Sequence, residues 1–137
     1  MKVRDLMTRE VTTLGRNQTL SLAEELMNLQ RIRHLPVVDE DGQLAGIVSQ
    51  RDLFHSGLLR ALGHGRHASA HVRDMLPVKE VMSTEVTTTE PDASLEEAAR
   101  LMFEKKIGCL PVVDKGRLVG ILTEGDFVAH FASRKGR

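Results

Sequence analysis

Two aspartates each stand three residues after a hydroxyl: Ser49 and Asp52 in GIVSQRD, and Thr123 and Asp126 in GILTEGD. A carboxylate can accept hydrogen bonds from two adjacent hydroxyls of a ligand. Each aspartate also opens an apolar-periodic segment, where a carboxylate caps a helix and serves the chain alone. The hydroxyl has the same two uses, a ligand contact or a short polar residue ending a strand. His64, His67 and His71 are spaced to share one helical face and could hold Zn²⁺ or Ni²⁺. Gly63 and Gly65 interrupt such a helix, and no carboxylate or cysteine completes the set, so a solvated linker without metal is expected. Cys109 is expected to be an ordinary small residue rather than a redox-sensitive thiol. No nucleophile elbow, phosphate-cradling Gly-Lys loop or full metal set is present, and no enzyme is expected.

These residues sit in a duplication. VRDLMTREVTTLGRNQTLSLAEELMNLQRIRHLPVVD (3–39) matches VKEVMSTEVTTTEPDASLEEAARLMFEKKIGCLPVVD (78–114) at 16 of 37 positions. The match resumes one residue out of step, pairing Gly42, Leu44, Gly46, Ile47, Ser49 and Asp52 with Gly116, Leu118, Gly120, Ile121, Thr123 and Asp126. Two similar substructures and two similar sites follow, related by pseudo-twofold symmetry.

The residue types exclude several functions. Net charge is zero, from 19 basic and 19 acidic residues, so no excess of cations recruits nucleic acid. Trp and Tyr are absent, which removes a base-stacking platform. No apolar run is long enough to span a membrane, and the charged start MKVRDLMTRE is unlike a signal peptide. One cysteine allows no internal disulfide, as expected of a cytoplasmic protein.

The elements that position the aspartates follow from periodicity. Val11–Leu14 is β-branched and precedes Gly15 and Asn17, which predicts a strand. Leu22, Leu26, Leu29 and Arg33, with Ala23 and Met27, predict a helix and its buried stripe. Pro36 ends the helix and opens a strand over Leu35–Val38. A turn over Asp39–Gly42 and a strand over Leu44–Val48 complete a hairpin, after which Asp52 opens a helix through Leu53, Leu58, Leu59 and Leu62. In the second copy Ser94 and Glu97 form a capping box, and Leu95, Ala98, Ala99, Leu101 and Met102 the stripe. Leu110–Val113, a Lys115–Gly116 turn and Leu118–Leu122 form the hairpin, and Asp126 starts a last helix with Phe127, Val128 and Phe131. Each copy therefore reads β-α-β-β-α, too few strands to be stable alone. The expected fold is α/β (α+β), with the two copies packed sheet-to-sheet in one compact module.

The ordered text D-L-M-T, V-T-T, L-x-x-A-x-x-L-M, I-R-H-L-P-V-V-D and G-x-L-A-G-I-V-S-x-R-D-L, with its second copy, resembles the cystathionine β-synthase (CBS) domain, which occurs in pairs as a Bateman module. The resemblance divides the chain into motif 1 (1–62), a linker (63–77), motif 2 (78–132) and a tail (133–137). It implies regulatory binding of AMP, ADP, ATP or S-adenosylmethionine in clefts between the motifs, reporting to an unknown regulated protein. No cofactor is required, and homodimers are implied. The alternative is a structural or oligomerisation module with degenerate clefts that acts through a protein partner.

By this resemblance Asp52 and Asp126 are ribose-binding aspartates, while Ser49 and Thr123 help hold sugar or phosphate. The aspartate of one motif is expected to face the first strand and pre-proline loop of the other. Site A then comprises Asp126, Thr123, Thr8, Val11, Ile32, Arg33, His34 and Pro36. Site B comprises Asp52, Ser49, Arg51, Ser83, Val86, Ile107, Cys109 and Pro111. Met7, Leu35, Met82 and Leu110 are further candidates for the adenine slot. Arg33 and His34 match phosphate-contacting positions, so site A is expected to hold phosphate more strongly than site B, which has Arg51 alone.

Overall fold

The computed structural model describes residues 1–54 and 75–133. The expected helix through Leu58, Leu59 and Leu62 and the histidines at 64, 67 and 71 lie outside the described residues.

The chain forms two compact units, and they do not follow the sequence repeats. One is Thr12–Val86, the Asp52 unit; the other joins Met1–Val11 to Thr87–Arg137, the Asp126 unit. Each unit thus takes the short segment that begins one repeat and the body of the other.

In the Asp52 unit, β1 (Leu14–Gly15) runs parallel to β2 (His34–Val38), which pairs antiparallel with β3 (Leu44–Ser49), in the order β1-β2-β3. The first strand is shorter than Val11–Leu14 and shifted. Its pairing starts at Leu14 opposite Val37, one residue past Pro36, which has no N–H to offer a second neighbour. Between β1 and β2 runs α2 (Leu20–Gln30), capped by Thr19, whose hydroxyl accepts from the Leu22 amide at 3.2 Å. It ends at Arg31, in the left-handed region at φ 55°, rather than continuing to Arg33. Its buried stripe is Leu20, Ala23 and Met27, with Leu22 and Leu26 at the margin. Leu29, expected in the stripe, is 73% exposed, because the face set by Leu20 turns it outward. Leu14, Leu35, Val37, Val48, Leu53 and Val78 complete this core.

In the Asp126 unit, α1 (Val3–Leu6) leads, and α3 (Leu95–Lys105), the hairpin of β4 (Cys109–Asp114) and β5 (Arg117–Thr123), and α4 (Glu124–Ser133) follow. A single parallel bridge, Thr89 to Val112, stands where β1 stands in the other unit. Ser94 accepts from the Glu97 amide at 3.4 Å. The return bond from the Glu97 side chain is not made among the described residues, so the expected box is half formed. Val3, Met7, Ala98, Met102, Leu110, Val112 and Leu122 make this core. On the last helix Phe127 packs against it, whereas Val128 and Phe131 are exposed.

Both hairpins turn as their glycines require. Gly42 has φ 79°, with the Asp39 carboxylate accepting from the Asp41 and Gln43 amides, both at 2.9 Å. Lys115 and Gly116 have φ 54° and 83°, the paired positive values of a tight primed turn. The architecture is mixed α+β, with one three-stranded and one two-stranded sheet.

Candidate functional site

Each unit carries its hydroxyl–carboxylate pair where a strand turns into a helix. At the Asp52 corner β3 ends at Ser49 and residues 50–54 are helical. The Ser49 amide donates to Asp52 Oδ2 at 2.8 Å, and the Asp52 amide donates to Ser49 Oγ at 3.0 Å. At the Asp126 corner the Thr123 amide donates to Asp126 Oδ2 at 2.8 Å, and the Asp126 amide to Thr123 Oγ1 at 3.3 Å. These are reciprocal capping boxes. The hydroxyl residue is the cap and the aspartate the third helical residue, which corrects the expectation that Asp52 and Asp126 begin their helices. Strand, helix start and carboxylate are thereby locked together, and Oδ1 of each aspartate takes no part in the box.

A segment from the start of a repeat runs beside each corner. In the Asp126 unit Thr8 and Ile121 exchange backbone hydrogen bonds, both at 2.9 Å. In the Asp52 unit Ser83 and Ile47 do the same, at 2.9 and 3.0 Å. Glycine permits this approach. A Cβ on Gly120 would lie 2.7 Å from Met7 Sδ and 3.0 Å from the Thr8 carbonyl. A Cβ on Gly46 would lie 2.8 Å from both Met82 Sδ and the Ser83 carbonyl. Met7 and Met82 therefore lie across glycines. Met7 is buried in its core, and Met82 packs against the other.

The approach brings Thr8, Thr123 and Asp126 together: Thr8 Oγ1 donates to Asp126 Oδ1 at 3.0 Å, and Thr123 Oγ1 lies 3.2 Å from Asp126 Oδ2. Val11 ends the same segment and is half-buried. The other residues expected at site A, Ile32, Arg33, His34 and Pro36, belong to the Asp52 unit. There the Arg33 carbonyl accepts from the Gln50 amide at 2.8 Å, and His34 pairs with Ser49 across the hairpin. The Arg33 side chain is exposed, Ile32 packs on the core and Pro36 is fully buried.

Of the site B set, Asp52, Ser49, Arg51, Ser83 and Val86 share the Asp52 unit, with Arg51 and Ser83 exposed. Ile107, Cys109 and Pro111 belong to the Asp126 unit. Cys109 pairs with Thr123 across the hairpin, and the Gly108 carbonyl accepts from the Glu124 amide at 3.1 Å. Burial, reinforced by the Glu124 carboxylate, pushes the Cys109 thiol up to about 12, so it stays protonated at neutral pH. Leu35 and Leu110 are fully buried core residues, and Pro111 is fully buried. Glu124 was missed among the sequence candidates, although its place two residues before Asp126, where the first copy has Gln50, was legible.

Among the described residues no cluster of His, Cys, Asp or Glu could hold a metal ion, and no helix is long and apolar enough to cross a membrane.

The paired strand-to-helix corners belong to a known class. The family model for the CBS domain matches residues 3–58 and 78–133, and the chain is a member of the CBS domain family. It is 39% identical over 133 residues to the CBS domain-containing protein YhcV of Bacillus subtilis, covering 97% of this chain and 87% of that one. Among solved structures, the CBS domain pair of MJ0100 in complex with 5-methylthioadenosine and S-adenosyl-L-methionine superposes with a TM-score of 0.78 at 29% identity, covering 98% of both chains. CBSX2 in complex with AMP superposes with a TM-score of 0.80 at 31% identity, again covering 98% of both.

Proposed function

We propose that this chain is a regulatory module that binds an adenosyl ligand and has no catalytic activity of its own. One observation carries the reading: both corners hold an aspartate fixed through Oδ2 by the capping box, with Oδ1 taking no part in the box. A ribose presents two adjacent hydroxyl donors, and a preorganised carboxylate is their natural acceptor. The likeness to CBS pairs solved with AMP, 5-methylthioadenosine and S-adenosyl-L-methionine supports the same ligand class here.

In this reading Asp126, Thr123, Thr8 and Val11 with Ile32, Arg33, His34 and Pro36 form site A. Asp52, Ser49, Arg51, Ser83 and Val86 with Ile107, Cys109 and Pro111 form site B. Arg33, His34 and Arg51 serve the phosphates, with site A the stronger phosphate site. The module works in the cytoplasm as a homodimer and reports ligand level to a partner protein. Calorimetric titration with AMP, ADP, ATP and S-adenosylmethionine tests the reading. Binding that weakens in Asp52→Ala or Asp126→Ala supports it; heats of dilution alone at millimolar ligand sink it.

A second reading, an oligomerisation module with degenerate clefts, has its own support. Leu29 and Phe54 in the Asp52 unit, and Phe103, Val128 and Phe131 in the Asp126 unit, are 63–83% exposed on helices, apolar side chains suited to a protein partner. A chain that is inert to all four ligands yet dimeric in solution would favour it.

A further inference from the structure

The two corners differ at the second carboxylate oxygen. Asp126 has both carboxylate oxygens engaged, Oδ2 by Thr123 and Oδ1 by the Thr8 hydroxyl at 3.0 Å. Asp52 has only Oδ2 engaged, by the Ser49 amide; among the described residues no donor reaches Oδ1. The counterpart of Thr8 is Ser83, whose backbone bonds Ile47 as Thr8 bonds Ile121. The segment's backbone is therefore seated alike in both units, and the difference at Oδ1 lies in the hydroxyl. The Thr8 side chain carries a second substituent on Cβ, which restricts its rotamers and holds its hydroxyl on the carboxylate; serine lacks that restriction.

We infer that Thr8 sets how much of a ligand's diol the Asp126 corner reads. This rests on the adenosyl reading above. Its hydroxyl occupies one acceptor direction of Oδ1, so a ribose arriving at Asp126 finds room for one strong hydroxyl contact rather than two. At Asp52 no donor among the described residues takes either direction of Oδ1, and the two ribose hydroxyls are accepted together. The Asp52 corner therefore discriminates against 2′-deoxyadenosine compounds, and the Asp126 corner tolerates them. Thr8 acts on the ligand through Asp126, as a residue that determines specificity.

The test uses the full chain carrying Asp52→Asn, so that the Asp126 corner is titrated by itself, with AMP and 2′-deoxy-AMP as probes. AMP is expected to bind no more than about threefold tighter than the deoxy compound, since one contact is shared with Thr8. Adding Thr8→Val, which keeps the shape and removes the hydroxyl, widens that ratio to about tenfold, the worth of one further hydrogen bond to a carboxylate. The widening disappears when Asp126→Asn is added. A ratio unchanged or narrowed by Thr8→Val, or loss of AMP binding in that variant, overturns the inference.

Thermal melts of Thr8→Val, Asp126→Asn and the double variant supply a readout without ligand. Their shifts in Tm should be less than additive, because both substitutions remove the same bond. Additive shifts overturn the inference whatever the titrations give. Failure of the wild-type chain to bind any adenosyl compound, with non-additive melts, sinks the functional reading and the preference while leaving the bond in place.

Discussion

The Asp52 and Asp126 corners are built from nearly the same text, yet they present different chemistry. Both have a reciprocal capping box and a glycine-seated segment beside the strand. They part at the positions the box does not use. Asp126 is bound by Thr8 and preceded by Glu124 and Gly125; Asp52, which no such hydroxyl reaches among the described residues, is preceded by Gln50 and Arg51. Opposite Thr123 stands the buried thiol of Cys109, and opposite Ser49 stands the half-buried His34. Duplication thus preserved what holds each corner in shape, and divergence collected at the side chains the box leaves out.

The largest expected effect falls on Cys109. Its thiol titrates near 12 rather than 9, so at pH 8 the folded chain holds on the order of a thousandfold less thiolate than the unfolded chain. Iodoacetamide should label it far more slowly in native than in denatured protein. The sign for stability follows: the unfolded thiol loses its proton above about 9 while the folded one keeps it, so stability falls as pH rises from about 9 towards 12. Cys109→Ala should flatten that part of the curve. Rapid native labelling would show that this corner is not closed around its thiol.

Next come the glycines. Gly46→Ala and Gly120→Ala each force a Cβ against a methionine that can move and a carbonyl that cannot. A loss of about 1–3 kcal/mol is expected for each, read as a Tm lowered by several degrees. Gly46→Ala should cost more, because its carbonyl is closer, 2.8 against 3.0 Å. Equal melts in all three proteins would contradict the close seating of both segments.

Removing a cap comes third. Ser49→Ala and Thr123→Ala should each lose about 0.5–2 kcal/mol in denaturant melts. The loss should be larger at Thr123, whose hydroxyl meets both the amide and the carboxylate of Asp126. The smallest effect belongs to Asp92, which takes Arg4 and, at 3.5 Å, Lys2, all on the exposed surface of the Asp126 unit. Asp92→Asn should shift stability by less than about 1 kcal/mol, and 0.5 M salt should abolish even that shift.

Much of this was legible in the residues because local rules and the duplication agreed. Gly42, Lys115–Gly116, Pro36 and Pro111 placed both hairpins, and the S-x-x-D and T-x-x-D spacing placed both corners. Periodicity was a weaker guide. Leucines at 22, 26 and 29 fit a helical stripe as well as Leu20, Ala23 and Met27 do, and only packing chose between them. The expected first strand reached too far back because Val11–Thr13 has strand propensity but, among the described residues, no strand to pair with beyond Pro36. The joining of residues 1–11 to the body of the second repeat was not legible from periodicity; only the family resemblance, which sets Thr8 and Val11 with Asp126, anticipated it. Sequence similarity reports ancestry, whereas pairing such as Thr8 with Ile121 depends on long-range contact. Glu124 looked like ordinary repeat variation, and Thr8, although counted in site A, gave no sign from sequence that its hydroxyl would reach Asp126 where Ser83 does not reach Asp52.

The most direct test of the central claim is a calorimetric titration of the intact chain with AMP and S-adenosylmethionine, beside Asp52→Ala and Asp126→Ala. Saturable binding is expected, weakened about tenfold or more by at least one substitution, since a lost carboxylate leaves the ribose hydroxyls without their acceptor. Binding that both variants keep at full strength would contradict the account, because the ligand would then be held without either corner.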